Sequence, residues 1–229
     1  HSINEDYFMK KLLSSVIAIF TVALAPSLAF AGDLQANDVV GITFWLISIS
    51  MVAATVFFIV ERSRVSGKWQ TSLSVISLVT VVAAVHYFYM REVWVSTGEP
   101  PTVFRYIDWL LTVPLQMIEF YLILAAVTAV SVGVFWRLMV GTLVMLVGGF
   151  AGEAGMLPPL LGFIIGMAGW IYILNEIFRG EAAQLSDSSG SPAAQMAFSA
   201  CRLVVLVGRA IYPLGNVVGY LMGAVDAAS

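Results

Sequence analysis

The run VFRYIDWLLTVPLQMIEFYLILAAV, residues 103–127, decides the fold class. It is apolar except for Arg105, Asp108, Gln116 and Glu119. At about 1.5 Å per residue it is long enough to cross ~30 Å of hydrocarbon as a helix. An ionisable residue at the centre of such a helix costs about 2.5–3.5 kcal/mol on insertion scales, so three cost roughly 8–10 kcal/mol if additive. Arg105, near one end, costs less. About a dozen Leu, Ile, Val and Phe residues return only about 0.3–0.6 kcal/mol each. The span is marginal alone, and its polar face is expected against protein or water inside a bundle of helices.

Outward from this run the chain alternates apolar stretches with short polar joints. The other stretches are 39–60, 71–90, 134–151, 160–178 and 197–223. Each approaches the ~20 residues a spanning helix needs. Backbone groups in lipid must be satisfied internally, so each reads as a helix and the chain as an all-α membrane protein. Composition agrees: 60% of the 229 residues are hydrophobic and 11% charged, whereas a soluble domain carries about a quarter charged residues. The net charge of −3 comes with no basic stripe, which argues against a nucleic-acid partner. Cys201 is the single cysteine, so a disulfide framework and a cysteine-rich metal site are excluded, and no metal site is expected. The longest joint, 179–195, is rich in Ser, Ala and Gly with Pro192 and reads as a loop.

The first 31 residues read as a targeting segment. Met9-Lys10-Lys11 is a basic start, Leu12 to Leu24 an apolar run, and Ala29-Phe30-Ala31 a small-residue cleavage site. His1 to Phe8 precede the start methionine of this reading and look like translated upstream sequence. The expected organisation is therefore 1–31 as upstream residues plus signal peptide and 32–229 as one transmembrane domain. Cleavage after Ala31 leaves Gly32 on the extracytoplasmic side. The joints at 61–70, 128–133 and 179–196 then face the cytoplasm, with Arg62, Arg64, Lys68, Arg137 and Arg179 in or beside them, as the positive-inside bias expects. The outward joints hold Arg91 with Glu92 and Glu99, and Glu153. Six crossings leave Asp226 and Ser229 outside.

Asp108 and Glu119 are eleven residues apart in the sequence, which places them on one helix face about 16 Å apart, three turns along. In this orientation Asp108 lies toward the outer surface and Glu119 toward the cytoplasm. Arg105, at i−3, favours the charged form of Asp108, whereas Glu119 is buried without a cation of its own. That suits a proton acceptor outside and a reloading donor inside. His86 lies about one turn from the outer end of the second run, at the depth of Asp108, where an imidazole would tune proton release; plain packing beside Tyr87 and Tyr89 is the competing reading. Pro114 is expected to kink the third span. Trp109, Trp170, Tyr212 and Pro213 are intramembrane aromatics and a second kink, which either pack or line a chromophore slot.

The strings FRYIDWLLTVPLQMIEFYLILAA, GEAG at 152–155, FIIGMAGW at 163–170, and AIYPLG followed by GYLMG closely resemble the proteorhodopsin branch of the microbial rhodopsin family, from Gly32 to the end. The resemblance implies a seven-transmembrane-helix bundle, of which six spans are present here, around all-trans-retinal held as a protonated Schiff base by a lysine of the seventh helix. It implies light-driven outward proton pumping, a transporter and photoreceptor rather than an enzyme, in a bacterial inner membrane. Retinal, protons and the lipid bilayer are the implied partners, with homo-oligomerisation left open. Residue by residue, it implies Asp108 as counterion and proton acceptor, Glu119 as cytoplasmic donor, His86 as partner of the acceptor and Arg105 as part of an outer charge complex. Trp109, Met145, Trp170, Tyr212 and Pro213 match pocket positions, and Tyr87 matches a tyrosine near the Schiff base. Gln116 falls at the colour-tuning position, where glutamine matches the blue-absorbing form.

Two departures stand out. The lysines are Lys10, Lys11 and Lys68, in the targeting segment and a cytoplasmic joint, so the seventh helix and its lysine are expected beyond Ser229. Arg209 stands where the family has a pocket tryptophan, and a long cation there is costly against an apolar chromophore. A photosensor signalling to a membrane partner and a bundle without a chromophore are the alternatives. Glu119 favours a pump, because sensors of the family commonly lack a carboxylate at the donor position.

Overall fold

The computed structural model describes residues 35–216 together with Ser14, and every ordered element among the described residues is helical. In chain order these are α1 Val39–Arg62, α2 Lys68–Thr97, α3 Thr102–Val127, α4 Val132–Glu153, α5 Pro159–Phe178, α6 Glu181–Ser188 and α7 Pro192–Leu203. A π-helical turn, Val204–Gly208, leads into α8 Arg209–Asn216. Six segments among the described residues are long and apolar enough to cross a membrane: α1 to α4, Pro159–Ser188 and Pro192–Gly215. The expected targeting segment apart from Ser14, with its Lys10 and Lys11, and Asp226 and Ser229 lie outside the described residues.

The six apolar runs are found, the sixth as far as the described residues reach, but the end of α2 and the start of α7 differ from expectation. Helix α2 continues to Thr97, so Arg91 and Glu92 belong to a helix rather than an outward joint. Arg91 is only 5% exposed, and its guanidinium carbon lies 5.7 Å from the centre of the Trp45 ring. Hydropathy marks where hydrocarbon would end, whereas backbone hydrogen bonding carries the helix beyond that point. The 179–195 joint is mostly helical as well. Pro192 begins α7 at a first-turn position, where its missing N–H costs nothing, and the Ser191 side chain accepts the Ala194 N–H as cap. Helix α3 runs through Pro114 without interruption.

The chain divides into two compact units. The first holds 35–54 and Thr80–Asp108, the second Thr55–Val79 and 109–216. In the first, aromatic rings pin the helices. Trp45 meets Phe88 edge-on at 5.2 Å, and Tyr89 stacks on Phe104 at 6.1 Å. Asp38 caps α1 by accepting the Gly41 N–H at 2.8 Å and also accepts the Trp94 indole N–H at 3.1 Å. These two donors, Gly41 first, hold the Asp38 carboxyl below its ordinary range.

In the second unit the core is formed by Met117, Phe120 and Leu124 of α3, Leu138 of α4, Ile173 and Ile177 of α5, and Phe198 of α7. Phe120 and Phe198 meet edge-on at 5.1 Å. Large apolar side chains such as Leu46, Val147 and Ile211 point outward. Lipid would solvate them as well as a core does, so close packing rather than apolar burial must hold such helices together.

Helices α4 and α5 show how. A Cβ added to Gly162 would sit 2.5 Å from Gly152 Cα, and one on Gly169 would sit 2.5 Å from Met145 N and 2.7 Å from Gly141 O. The backbones are in contact, and neither can yield as a flexible side chain could. Gly169→Ala is expected to force α4 from α5 and to cost about 1–3 kcal/mol, read as a lower unfolding temperature in detergent. Unchanged stability would contradict the close approach. At the end of α5, Arg137 of α4 donates to Glu176 at 3.0 and 3.2 Å and to Glu181 at 2.6 Å. Glu176 also accepts the Ala182 N–H at 3.1 Å, which ties the start of α6 back onto α5.

Candidate functional site

The first unit builds its polar centre at the end of its α3 segment. Asp108 is 4% exposed, a carboxyl taken almost wholly out of solvent. Opposite it, His86 of α2 places Nδ1 3.6 Å from Asp108 Oδ1. The same nitrogen lies 2.9 Å from the Val82 carbonyl oxygen one turn back. A carbonyl only accepts, so Nδ1 carries the hydrogen and donates it to Val82. At 3.6 Å the carboxylate is outside ordinary hydrogen-bond range but within strong electrostatic reach. The imidazole is thus held by its own helix and presented to Asp108, and any further proton must go to Nε2. The Tyr87 ring lies 6.0 Å from that of Phe44. Arg105 Nη2 is 3.5 Å from Thr102 Oγ1, and its guanidinium carbon is 5.8 Å from the Tyr106 ring.

The second unit holds the other carboxyl. Glu119 is 5% exposed and accepts a short hydrogen bond from the Ser72 hydroxyl at Oε1. Its Oε2 is buried with no hydrogen-bond partner among the described residues. Ser72 was not singled out from sequence, since one serine near the start of a span carries no signal until its partner is known. Phe120, beside Glu119 in the chain, and Phe198 are each 1% exposed or less.

Further along the second unit, Gln116 Oε1 accepts from Arg209 Nη2 at 2.5 Å. Trp170 of α5 donates its indole N–H to the Val205 carbonyl at 3.3 Å, within the π-helical turn. Trp109 and Met145 are half-buried, and Met145 packs against the core cluster. Pro213 lies inside α8, as does Tyr212, whose side chain is outside the described residues. Lys68, the lysine among the described residues, donates Nζ to the Ala125 carbonyl at 2.5 Å and so is committed to the end of α3. An open apolar furrow over the α4–α5 seam, lined by Leu143, Val144, Val147, Gly148 and Ile165 among others, contains none of these polar groups.

The structure therefore brings His86 to Asp108, Ser72 to Glu119 and Arg209 to Gln116. Of these pairs, only the first was expected. The α4–α5 contact had a legible signal that went unread: Gly148 and Gly152, like Gly162 and Gly166, have the i, i+4 small-residue spacing of close membrane-helix pairs.

Residues 38–228 match the family model described as bacteriorhodopsin-like protein. The blue-light absorbing proteorhodopsin of Gamma-proteobacterium Hot 75m4 is 55% identical over 94% of this chain and 84% of its own length. The green-light absorbing proteorhodopsin of Gamma-proteobacterium EBAC31A08 is 52% identical over 93% and 83%. Among solved structures, the blue light-absorbing proteorhodopsin from Med12 matches with a TM-score of 0.70 and 53% identity, over 83% of this chain and 85% of that one.

Proposed function

Because the chain belongs to the bacteriorhodopsin-like protein family and is a multi-pass membrane protein of rhodopsin fold, we propose that it carries out light-driven outward proton transport with retinal as chromophore. The observation that carries this reading is the pair of buried carboxyls on α3, each with a polar partner of its own. Asp108 faces His86 across 3.6 Å, and Glu119 takes the Ser72 hydroxyl. Burying two carboxyls in one membrane helix is expensive, and such groups mark proton relays.

The residues present suit the chromophore in part, Arg209 being the exception. A buried carboxyl such as Asp108 can neutralise a cation in a low-dielectric site, and Trp109, Met145 and Trp170 offer half-buried, largely apolar surface. Retinal, when bound through a lysine, would supply light absorption and the proton to be moved. In the proposed cycle Asp108 accepts that proton on a carboxylate oxygen, and His86 and Arg105 bias its onward release to the outside. Glu119 then gives up its own proton from the cytoplasmic side and is reloaded from there. A buried carboxyl whose one recorded donor is a hydroxyl carries a proton more cheaply than a charge. The Ser72 hydroxyl engages its Oε1.

The direction follows from the positive-inside distribution of Arg62, Arg64, Lys68, Arg137 and Arg179, and a bacterial inner membrane is the compartment in which such a pump would act. Blue tuning is proposed from Gln116. The near-equal identities to blue- and green-absorbing relatives leave that to the residue itself. A sensory role is the second reading, and the buried Glu119 favours the pump over it.

The test joins this chain to the C-terminal segment of the Hot 75m4 relative, which supplies the anchoring lysine that the resemblance implies. With all-trans-retinal, lipid vesicles or cells should show a visible absorption band and light-driven proton movement abolished by an uncoupler. A band without net proton movement would favour a sensor, and no band would remove the retinal reading altogether.

A further inference from the structure

Arg209 and Gln116 are separate features in the sequence, one a departure from the family and the other its colour-tuning position. In the folded chain they are a single contact. Arg209 opens α8 directly after the π-helical turn, and its Nη2 reaches Gln116 Oε1 in α3 at 2.5 Å. Both residues are half-buried. The turn that delivers Arg209 is itself held, because Trp170 donates to its Val205 carbonyl. Helix α8 therefore presents the guanidinium from a braced position.

The chemistry of an amide makes the contact directional. A guanidinium only donates, so it must meet the carbonyl oxygen of Gln116. That fixes which end of the amide points to α8 and leaves the NH2 group for any other neighbour. A charge-assisted bond in a low-dielectric interior is stronger and more restrictive than a neutral one. Without Arg209, the Gln116 side chain can turn either end outward.

We infer that Arg209 and Gln116 act as one coupled unit that links α3 to α8 and sets the orientation of the Gln116 amide, so that Arg209 influences a bound chromophore through Gln116. The spectral half rests on the retinal site proposed above, whereas the coupling does not. Arg209 is here a positioning residue. A pigment of this chain is tuned by a pair, and replacing Gln116 alone also removes an acceptor from a half-buried cation.

The experiment is a double-mutant cycle of parent, Gln116→Leu, Arg209→Leu and the double variant. Unfolding temperature is read first, on retinal-free protein in detergent. Gln116→Leu should lower it by about 2–6 °C in the parent background and change it little in the Arg209→Leu background, a coupling typical of contacting side chains. Equal effects in the two backgrounds overturn the inference. The same four proteins, joined to the C-terminal segment and given all-trans-retinal, are then compared for absorption maximum. The Gln116→Leu shift should differ between the parent and Arg209→Leu backgrounds, which simple packing would not produce, and equal shifts overturn the tuning role. If no variant forms a pigment, the retinal reading fails, and the unfolding temperatures still decide the coupling.

Discussion

Replacing Asp108 with asparagine is expected to abolish light-driven proton export from the joined, retinal-loaded protein. Asparagine keeps the shape of the side chain but cannot take a proton at ordinary pH. Asp108 is almost fully buried, and the imidazole beside it has its Nδ1–H engaged by Val82. His86 could substitute only through Nε2, from a ring whose position is fixed by its own helix. Loss of a positioned proton acceptor costs about 100-fold or more in rate, so initial acidification in the light should fall to the dark background. The visible band should also move to longer wavelength, because the carboxylate would stabilise the ground state of a cationic chromophore. Unchanged export with an unchanged band would remove Asp108 from the role of acceptor and counterion. Moving one charge against 100 mV takes about 2.3 kcal/mol, small beside a visible photon, so lost export reports the proton path rather than insufficient energy.

Glu119→Gln is expected to leave the first proton release intact and to slow the reloading that follows, by about 100-fold. The two variants therefore separate in time. After a single flash, the Asp108 variant releases nothing, whereas the Glu119 variant releases once and then waits. Glutamine still accepts the Ser72 hydroxyl at its carbonyl, so the packing around Phe120 and Phe198 should survive. What is lost is only the transferable proton. A small membrane-permeant weak acid added outside the protein should restore the rate by delivering protons directly, an effect that a merely damaged fold would not show. If the cycle kept its normal rate without such help, Glu119 could not be the donor, and the sensory reading would gain ground.

Much of this was readable from residue chemistry. Six apolar runs, and two carboxyls and a histidine inside them, follow from transfer energies that act on each residue one at a time. Even there, Arg91 shows a limit. Hydropathy put it in a joint, but α2 continues past it and buries its guanidinium against Trp45. A transfer scale scores the environment a residue prefers and is silent about backbone hydrogen bonds that outlast the apolar run. Helix α6 and the early start of α7 escaped for a related reason: serine, glycine and proline were scored as loop formers, yet Pro192 serves at a helix start and Ser191 as its cap.

By itself the sequence determined that the chain spans a membrane as helices and that Asp108, Glu119 and His86 lie within it. Hydrocarbon excludes unsatisfied backbone and charge wherever they occur along the chain. Only the tertiary structure decided the partners. It gave Ser72 to Glu119, Arg209 to Gln116 and Arg137 to Glu176 and Glu181, and it committed the Nδ1 of His86 to Val82. The physical reason is range. Burial is a property of one residue in a solvent, whereas a hydrogen bond between residues 47 or 93 positions apart depends on how every intervening helix packs.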